Sequence, residues 1–208
     1  MKKIKQVVLI LLILSTQQFA QDDQSKSEKS EWDFNASIYS YFIPEDFFLL
    51  PILIADQSQI HLEARYNYED RNTFSGWIGY NFQIGEVLEF KATPMIAVVV
   101  GNLNGIAPGL EIDLLYSNLE LYSESEYVFN LANGHDNYFY VWSELTYSPI
   151  DWFYFGIVGQ RTRAYETDLD IQSGILLGFS YNNFGLSGYL FNLTKDETFF
   201  LLSIEYDF

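Results

Sequence analysis

The strongest constraint in this chain is an alternation of apolar and polar residues that recurs in segments of about ten residues. In QIHLEARYNY, residues 59–68, His61, Glu63, Arg65 and Asn67 share one face, while Leu62, Ala64, Tyr66 and Tyr68 share the other. In TFSGWIGYNFQI, residues 73–84, Phe74, Ile78, Tyr80, Phe82 and Ile84 oppose Ser75, Trp77, Asn81 and Gln83. In DIQSGILLGFSY, residues 170–181, Ile171, Ile175, Leu177, Phe179 and Tyr181 oppose Asp170, Gln172 and Ser180. A two-residue period is that of an extended strand with two unlike faces. No stretch beyond the N-terminal segment approaches the twenty apolar residues that a spanning helix requires.

A soluble sandwich with its apolar face turned inward would show the same period. Three features favour a transmembrane barrel instead. The polar faces carry opposed charges within one strand, the strands run to about ten residues rather than five or six, and aromatic residues gather near strand ends, as they do at membrane interfaces. The chain holds 18 Phe, 16 Tyr and 4 Trp. Its texture is uniform from residue 32 to residue 208, which points to one domain.

The N-terminal MKKIKQVVLILLILSTQQFAQ has three lysines, an apolar run from Val7 to Leu14 and a small residue at Ala20. That is the layout of a cleavable secretory signal over residues 1–20. The polar DDQSKSEKSE that follows reads as a disordered periplasmic linker over residues 21–31. The chain has no cysteine, so neither a disulfide framework nor a lipid-bearing cysteine is available, in keeping with passage through an oxidising periplasm. The net charge is −17, and loss of the leading lysines makes it more acidic still. Such a chain lacks the clustered Lys and Arg that neutralise phosphates, so nucleic acid is excluded as a partner.

The last segment, LLSIEYDF, places Leu202, Ile204, Tyr206 and Phe208 on one face and Ser203, Glu205 and Asp207 on the other. Together with the signal and the amphipathic strands, this ending resembles that of bacterial outer-membrane β-barrel proteins. The resemblance covers residues 32–208 as a pattern and carries no catalytic motif. It implies an outer-membrane location, contact with outer-membrane lipid, and recognition of Leu202, Ile204, Tyr206 and Phe208 by the barrel-assembly machinery.

Strands are predicted at 33–43, 57–68, 73–84, 87–100, 105–116, 118–129, 137–147, 152–163, 170–181, 184–193 and 198–208. Eleven strands conflict with the even number found in bacterial single-chain barrels. FFLLPILI, residues 47–54, supplies the twelfth, although Pro51 would interrupt a ladder. The expected fold is therefore an all-β, antiparallel up-and-down barrel of twelve strands, with ten as the alternative. Tight turns at 85–86, 117–118, 148–151 and 182–183 fall on the periplasmic side. The longer loops at 69–72, 101–104, 130–137, 164–169 and 194–197 fall outside, and none is expected to reach deep into the lumen.

With the polar face inward, the lumen should hold a charge network of Glu63, Arg65, Glu89, Lys91, Glu111, Asp113, Glu120, Glu124, Glu126, Glu144, Asp170 and Glu205. Arg161 and Arg163 are expected to join it, although WFYFGIVGQRTR alternates ambiguously. In the hairpin GLEIDLLYSNLELYSESEY a turn at 117–118 sets Glu111 opposite Glu124, a like-charge pair that destabilises by up to about 1 kcal/mol. Arginine from the opposite wall, a bound cation, a protonated carboxyl or open water could each offset it.

An enzyme is not expected. The two histidines are His61 on the inward face and His135 in a loop, and neither has the serine partner that nucleophilic catalysis requires. The histidine–serine pattern of outer-membrane phospholipases is absent. No cysteine or histidine spacing suited to a metal occurs, nor does a glycine-rich phosphate loop, so no cofactor is expected. The acidic loop YETDLD, residues 165–170, reads as solvated rather than calcium-binding. The functional expectation is a narrow passive channel for small polar or cationic solutes. The alternatives are a structural or interaction barrel whose lumen is plugged by the charge network and, less favoured, a lipid-modifying enzyme.

Overall fold

A computed structural model describes residues 31–132, 137–164, 170–194 and 198–208. The strands are β1 (Asp33–Ile43), β2 (Asp46–Gln57), β3 (Ile60–Tyr66), β4 (Thr73–Tyr80), β5 (Phe82–Ile84), β6 (Leu88–Gly101), β7 (Gly105–Tyr116), β8 (Leu119–Asn130), β9 (Tyr138–Ile150), β10 (Phe153–Arg161), β11 (Gln172–Tyr181), β12 (Phe184–Phe191) and β13 (Phe199–Asp207). Both β4 and β5 pair with β6, and they are two parts of one strand interrupted at Asn81. Counted so, twelve antiparallel strands run up and down around a closed ring.

Closure is made by β1 and β13, which pair from Asn35↔Asp207 to Phe42↔Phe200. We call the end where β1 begins and β13 finishes the proximal end, and the opposite one distal. Strands of seven to fourteen residues at about 3.3 Å per residue, tilted as barrel strands are, cross an apolar layer about 25 Å thick.

The twelfth strand forms despite Pro51. The ladder from β2 to β1 runs through Ile38↔Pro51, whereas the ladder to β3 stops at Ile52↔Arg65. The proline, which has no N–H to donate, thus sits where the second ladder has already ended. Pro108 is handled in the same way: the β7–β8 register lapses between Ile106↔Phe129 and Gly109↔Glu126.

The outer surface is an apolar belt. Leu53, Ile78, Val98 and Ile157 are each more than half exposed, and in every strand such residues alternate with buried ones. An exposed apolar surface that runs round a whole closed barrel is the pattern of a membrane-spanning barrel, not a defect of a soluble fold. Ile204 and Phe208 belong to this belt, while Ser203 of the same strand is fully buried inside.

Candidate functional site

The lumen divides into two parts along its axis. The proximal part encloses a cavity of about 460 Å³ lined by Asp56, Glu63, Glu111, Asp113, Glu120, Glu124, Glu144 and Glu205, against which stand Arg65, Lys91 and His61. Asn35, Ser37 and Ser148 line it as well, near the proximal rim. Eight carboxylates therefore face two permanent cations and one histidine.

The distal part is packed. Phe191, Leu201, Val128 and Ala107 point inward from four different strands and have no exposed surface, and Val99 and Leu103 have about 1%. Side chains lining an open pore would show their inner surfaces to water; these do not. Aromatic rings stack through this region: Tyr41 on Phe48 with centroids 4.5 Å apart, Phe191 on Phe199 at 4.8 Å, and Tyr68 tilted against Tyr140 at 4.9 Å. Offset and edge contacts of this kind add to the burial of apolar area. A Cβ built on Gly109 would lie 2.8 Å from the Trp77 ring, so only a residue without one lets that indole lie against β7.

Arg65 marks the boundary between the two parts. Its Nε and Nη2 donate to Glu63 and its Nη1 to Glu124. Glu111 lies 3.8 Å from Nη2 and Glu126 lies 3.9 Å from Nη1. The guanidinium is sandwiched by rings, its carbon 4.4 Å from the Tyr68 centroid and 4.5 Å from that of Trp77, a placement that suits a planar, weakly hydrated cation. Glu111 and Glu124 do stand directly opposite each other. Arg65 reaches both of them from β3, and the Tyr122 hydroxyl lies 3.2 Å from Glu111 and 3.3 Å from Glu124. An arginine from another wall is thus what offsets the like-charge pair.

His61 sits one step proximal to Arg65. Its Nδ1 is 2.8 Å from Asp56 and its Nε2 is 2.7 Å from Glu63. Both ring nitrogens face carboxylates and neither faces a serine, the arrangement of an imidazolium donating twice. The ligand atoms of His61, Glu63 and Glu111 lie within 4.8 Å of one another and could hold a metal ion. With Glu63 already held by Arg65 and by the imidazole, the group is closed as an ion network, and a metal would have to displace these donors.

The expected lumenal residues are distributed unevenly. Glu63, Arg65, Lys91, Glu111, Asp113, Glu120, Glu124, Glu144 and Glu205 converge on the cavity. Glu126 is buried beyond Arg65. Glu89 is exposed near the proximal end of β6, and Asp170 is exposed beside β11. Arg161 departs from its expected place: Gln160 and Thr162 turn inward and are buried, so Arg161 takes the outer face, where its Nη1 donates to the Phe139 carbonyl. Arg163 lies beyond the end of β10, its Nε 4.0 Å from Asp70 and its guanidinium carbon 5.6 Å from the Tyr138 centroid. His135 and residues 165–169 lie outside the described residues, as do residues 1–30.

A further departure concerns the loop after β3. A loop of four residues, 69–72, looked too short to reach deep into the lumen, and Tyr68 looked outward-facing. Asn67 instead adopts a left-handed conformation (φ 61°) that breaks the two-residue period. Its side chain donates to the Leu49 carbonyl at 2.8 Å and accepts from the Asn72 backbone at 2.7 Å. Tyr68 and Glu69 consequently turn into the barrel and are buried. The Tyr68 hydroxyl donates to Glu124 at 2.6 Å, and Tyr138 from β9 donates to the Glu69 carbonyl. The only sequence signal for this inward fold is the asparagine that ends the alternation.

A closed ring of twelve strands with a charged interior and an apolar exterior defines the class: an outer-membrane β-barrel with a porin-type fold. The chain is similar to a solved structure described as the KdgM porin, with 14% identity over 84% of this chain and 99% of that one and a TM-score of 0.61. A second structure, the KdgM porin in complex with disordered oligogalacturonate, gives 14% identity over 85% of this chain and 99% of that one, with a TM-score of 0.59. OpdK, an outer-membrane protein from Pseudomonas aeruginosa, matches at 6% identity over 89% of this chain and 68% of that one, with a TM-score of 0.46. No protein-family model matches the sequence, and no curated protein matches it.

Proposed function

We propose that this barrel is a narrow passive channel for small polar or cationic solutes, held shut in the present conformation by the Arg65 clasp and the packed distal lumen. The observation that carries this reading is a file of acids along the interior. On β8 alone, Glu120 and Glu124 line the cavity and Glu126 follows beyond Arg65. Rings of carboxylates favour cations in a pore. The same charge disfavours a polyanion. The KdgM porin has been captured with oligogalacturonate, whose uronate units are themselves carboxylates, whereas eight acids line the cavity here. An acid-lined lumen repels a polycarboxylate, so the shared fold does not carry that solute over to this chain.

Planar-bilayer recording of the refolded chain across a salt gradient tests the reading. The expected result is infrequent discrete openings with a cation-selective reversal potential. Glu111→Gln combined with Glu124→Gln should reduce that selectivity. Anion-selective openings, or selectivity unchanged in the double variant, would count against it.

A second reading, a structural or interaction barrel with a plugged lumen, is favoured by the complete burial of Phe191, Leu201 and Val128. It predicts a silent bilayer at every voltage while the protein remains folded and heat-modifiable. Catalysis on lipid finds no support among the described residues, since His61 is committed to Asp56 and Glu63. Assembly through Leu202, Ile204, Tyr206 and Phe208 belongs to the same proposal, because their outward face is the one that a membrane machine would meet first.

A further inference from the structure

Beyond Arg65 the distal lumen contains a polar site that the packing leaves unsatisfied. Glu126 is 1% exposed and Glu69 is not exposed at all. Neither carboxylate oxygen of Glu126 has a hydrogen-bond partner, nor does Oε2 of Glu69. Buried carboxylates almost always have donors, and those nearby do: Oε1 of Glu69 accepts from Trp77 Nε1 at 3.3 Å. Arg65 stands 3.9 Å from Glu126 and gives it no hydrogen bond, because its N–H groups are directed at Glu63, Glu124 and the Met95 sulfur. The two acids belong to one site. Tyr138 donates to the Glu69 carbonyl and stands on β9 two residues before Tyr140, the cross-strand partner of Glu126. Arg65 links them as well: its guanidinium carbon lies 4.5 Å from the centre of the Trp77 ring that donates to Glu69, and its Nη1 lies 3.9 Å from Glu126.

Charge balance points the same way. Five buried glutamates, Glu63, Glu69, Glu111, Glu124 and Glu126, surround one guanidinium and one imidazole. Burying carboxylates without full compensation is costly, and carboxylate oxygens that no donor satisfies are the kind of ligand a hard cation takes. We propose that a small oxygen-seeking cation binds between Glu126 and Glu69, on the distal side of Arg65. The inference rests on the cation-preferring reading of the lumen. Its test reads binding and not current, so a silent bilayer with a bound cation would fail the channel alone.

The test uses the full mature chain refolded in detergent at pH 8, in choline chloride, sodium chloride or calcium chloride of equal ionic strength. Loss of heat-modifiable mobility gives an unfolding midpoint. Calcium, or sodium if the site takes a monovalent ion, should raise the midpoint saturably relative to choline, by roughly 5–10 °C at a hundredfold excess over its dissociation constant. Glu126→Gln and Glu69→Gln should each abolish that rise. In choline each variant should match or exceed the wild type, because the acid removed holds a buried carboxylate oxygen that no donor satisfies. Either variant suffices if the other does not fold. Terbium provides a direct readout on the wild type: emission sensitised through Trp77 should fall several-fold in Trp77→Phe and persist in Trp142→Phe. A midpoint insensitive to cation identity would overturn the proposal in favour of a shared proton. A rise retained in both glutamine variants, or terbium emission indifferent to Trp77, would overturn it by placing the ion in the proximal cavity.

Discussion

The two halves of the lumen use the same strands and the same alternation to opposite ends. Proximally, β1, β8, β9 and β13 turn Tyr39, Glu120, Glu144 and Glu205 into the cavity of about 460 Å³. Distally, β8, β9 and β13 turn Val128, Tyr138 and Leu201 into a dry pack, and Tyr41 of β1 stands between that pack and the cavity. Strand geometry settles only which residues face inward. Whether the interior is a vestibule or a core depends on side-chain volume and polarity at each level, and the change occurs where Arg65 meets Glu63 and Glu124.

If that boundary is real, substitutions on its two sides should differ in kind. The largest effect is expected at the boundary itself. Arg65→Met leaves Glu124 buried without a cation and Glu63 with the His61 imidazole alone, and should cost about 3–5 kcal/mol, measured by urea-induced unfolding in lipid vesicles; adding Glu63→Gln and Glu124→Gln should restore much of the loss. Next comes the distal pack. Phe191→Ala removes a ring stacked on Phe199 and edge-on to Trp142 and should cost about 3–5 kcal/mol, less where the cavity collapses, while raising the frequency of bilayer openings. Gly109→Val forces the Trp77 ring aside and should cost about 1–3 kcal/mol, read in the same unfolding assay. Proximal changes should be milder still: Glu120→Gln should leave stability within about 0.5 kcal/mol and reduce only the cation selectivity of any openings. Smallest of all, Asp46→Asn breaks an exposed pair with Arg71 at 2.8 Å and should leave the unfolding curve unchanged, since surface pairs contribute little.

Much of the proximal half was legible in the sequence because polar and apolar residues alternate there. Eleven strands, the hairpin that sets Glu111 against Glu124 and the inward face of His61 follow from a two-residue period and from turn residues, and the twelfth strand, FFLLPILI, follows from the even strand number of such barrels. The distal half was not legible, for a physical reason. In MIAVVVG, residues 95–101, Met95, Ala97 and Val99 turn inward and Ile96, Val98 and Val100 outward; a segment apolar on both faces gives no hint that its inner face meets other side chains instead of water. Period counting also fails where the backbone leaves the strand. Asn67 carries Tyr68 and Glu69 inward through one left-handed residue, and the clasp that Tyr68 completes brings together β3, β8 and a loop far apart in the chain. Arg161 shows the same weakness at the other end of the alternation: GIVGQRTR offers no apolar contrast to fix which of Gln160 and Arg161 faces inward.

The chain has no cysteine, so single-cysteine variants can report water along the lumen directly. The decisive measurement is the rate at which a cationic, membrane-impermeant thiol reagent modifies Ser148→Cys and Glu120→Cys in the proximal half and Ala107→Cys and Val128→Cys in the distal half, in the folded protein. The account predicts fast modification of the first pair and protection of the second by a factor of 100 or so, the ratio expected when a site opens only with an unfavourable free energy of about 2.7 kcal/mol. Equal rates at all four positions would mean a water-filled passage through the whole barrel and would contradict the division of the lumen.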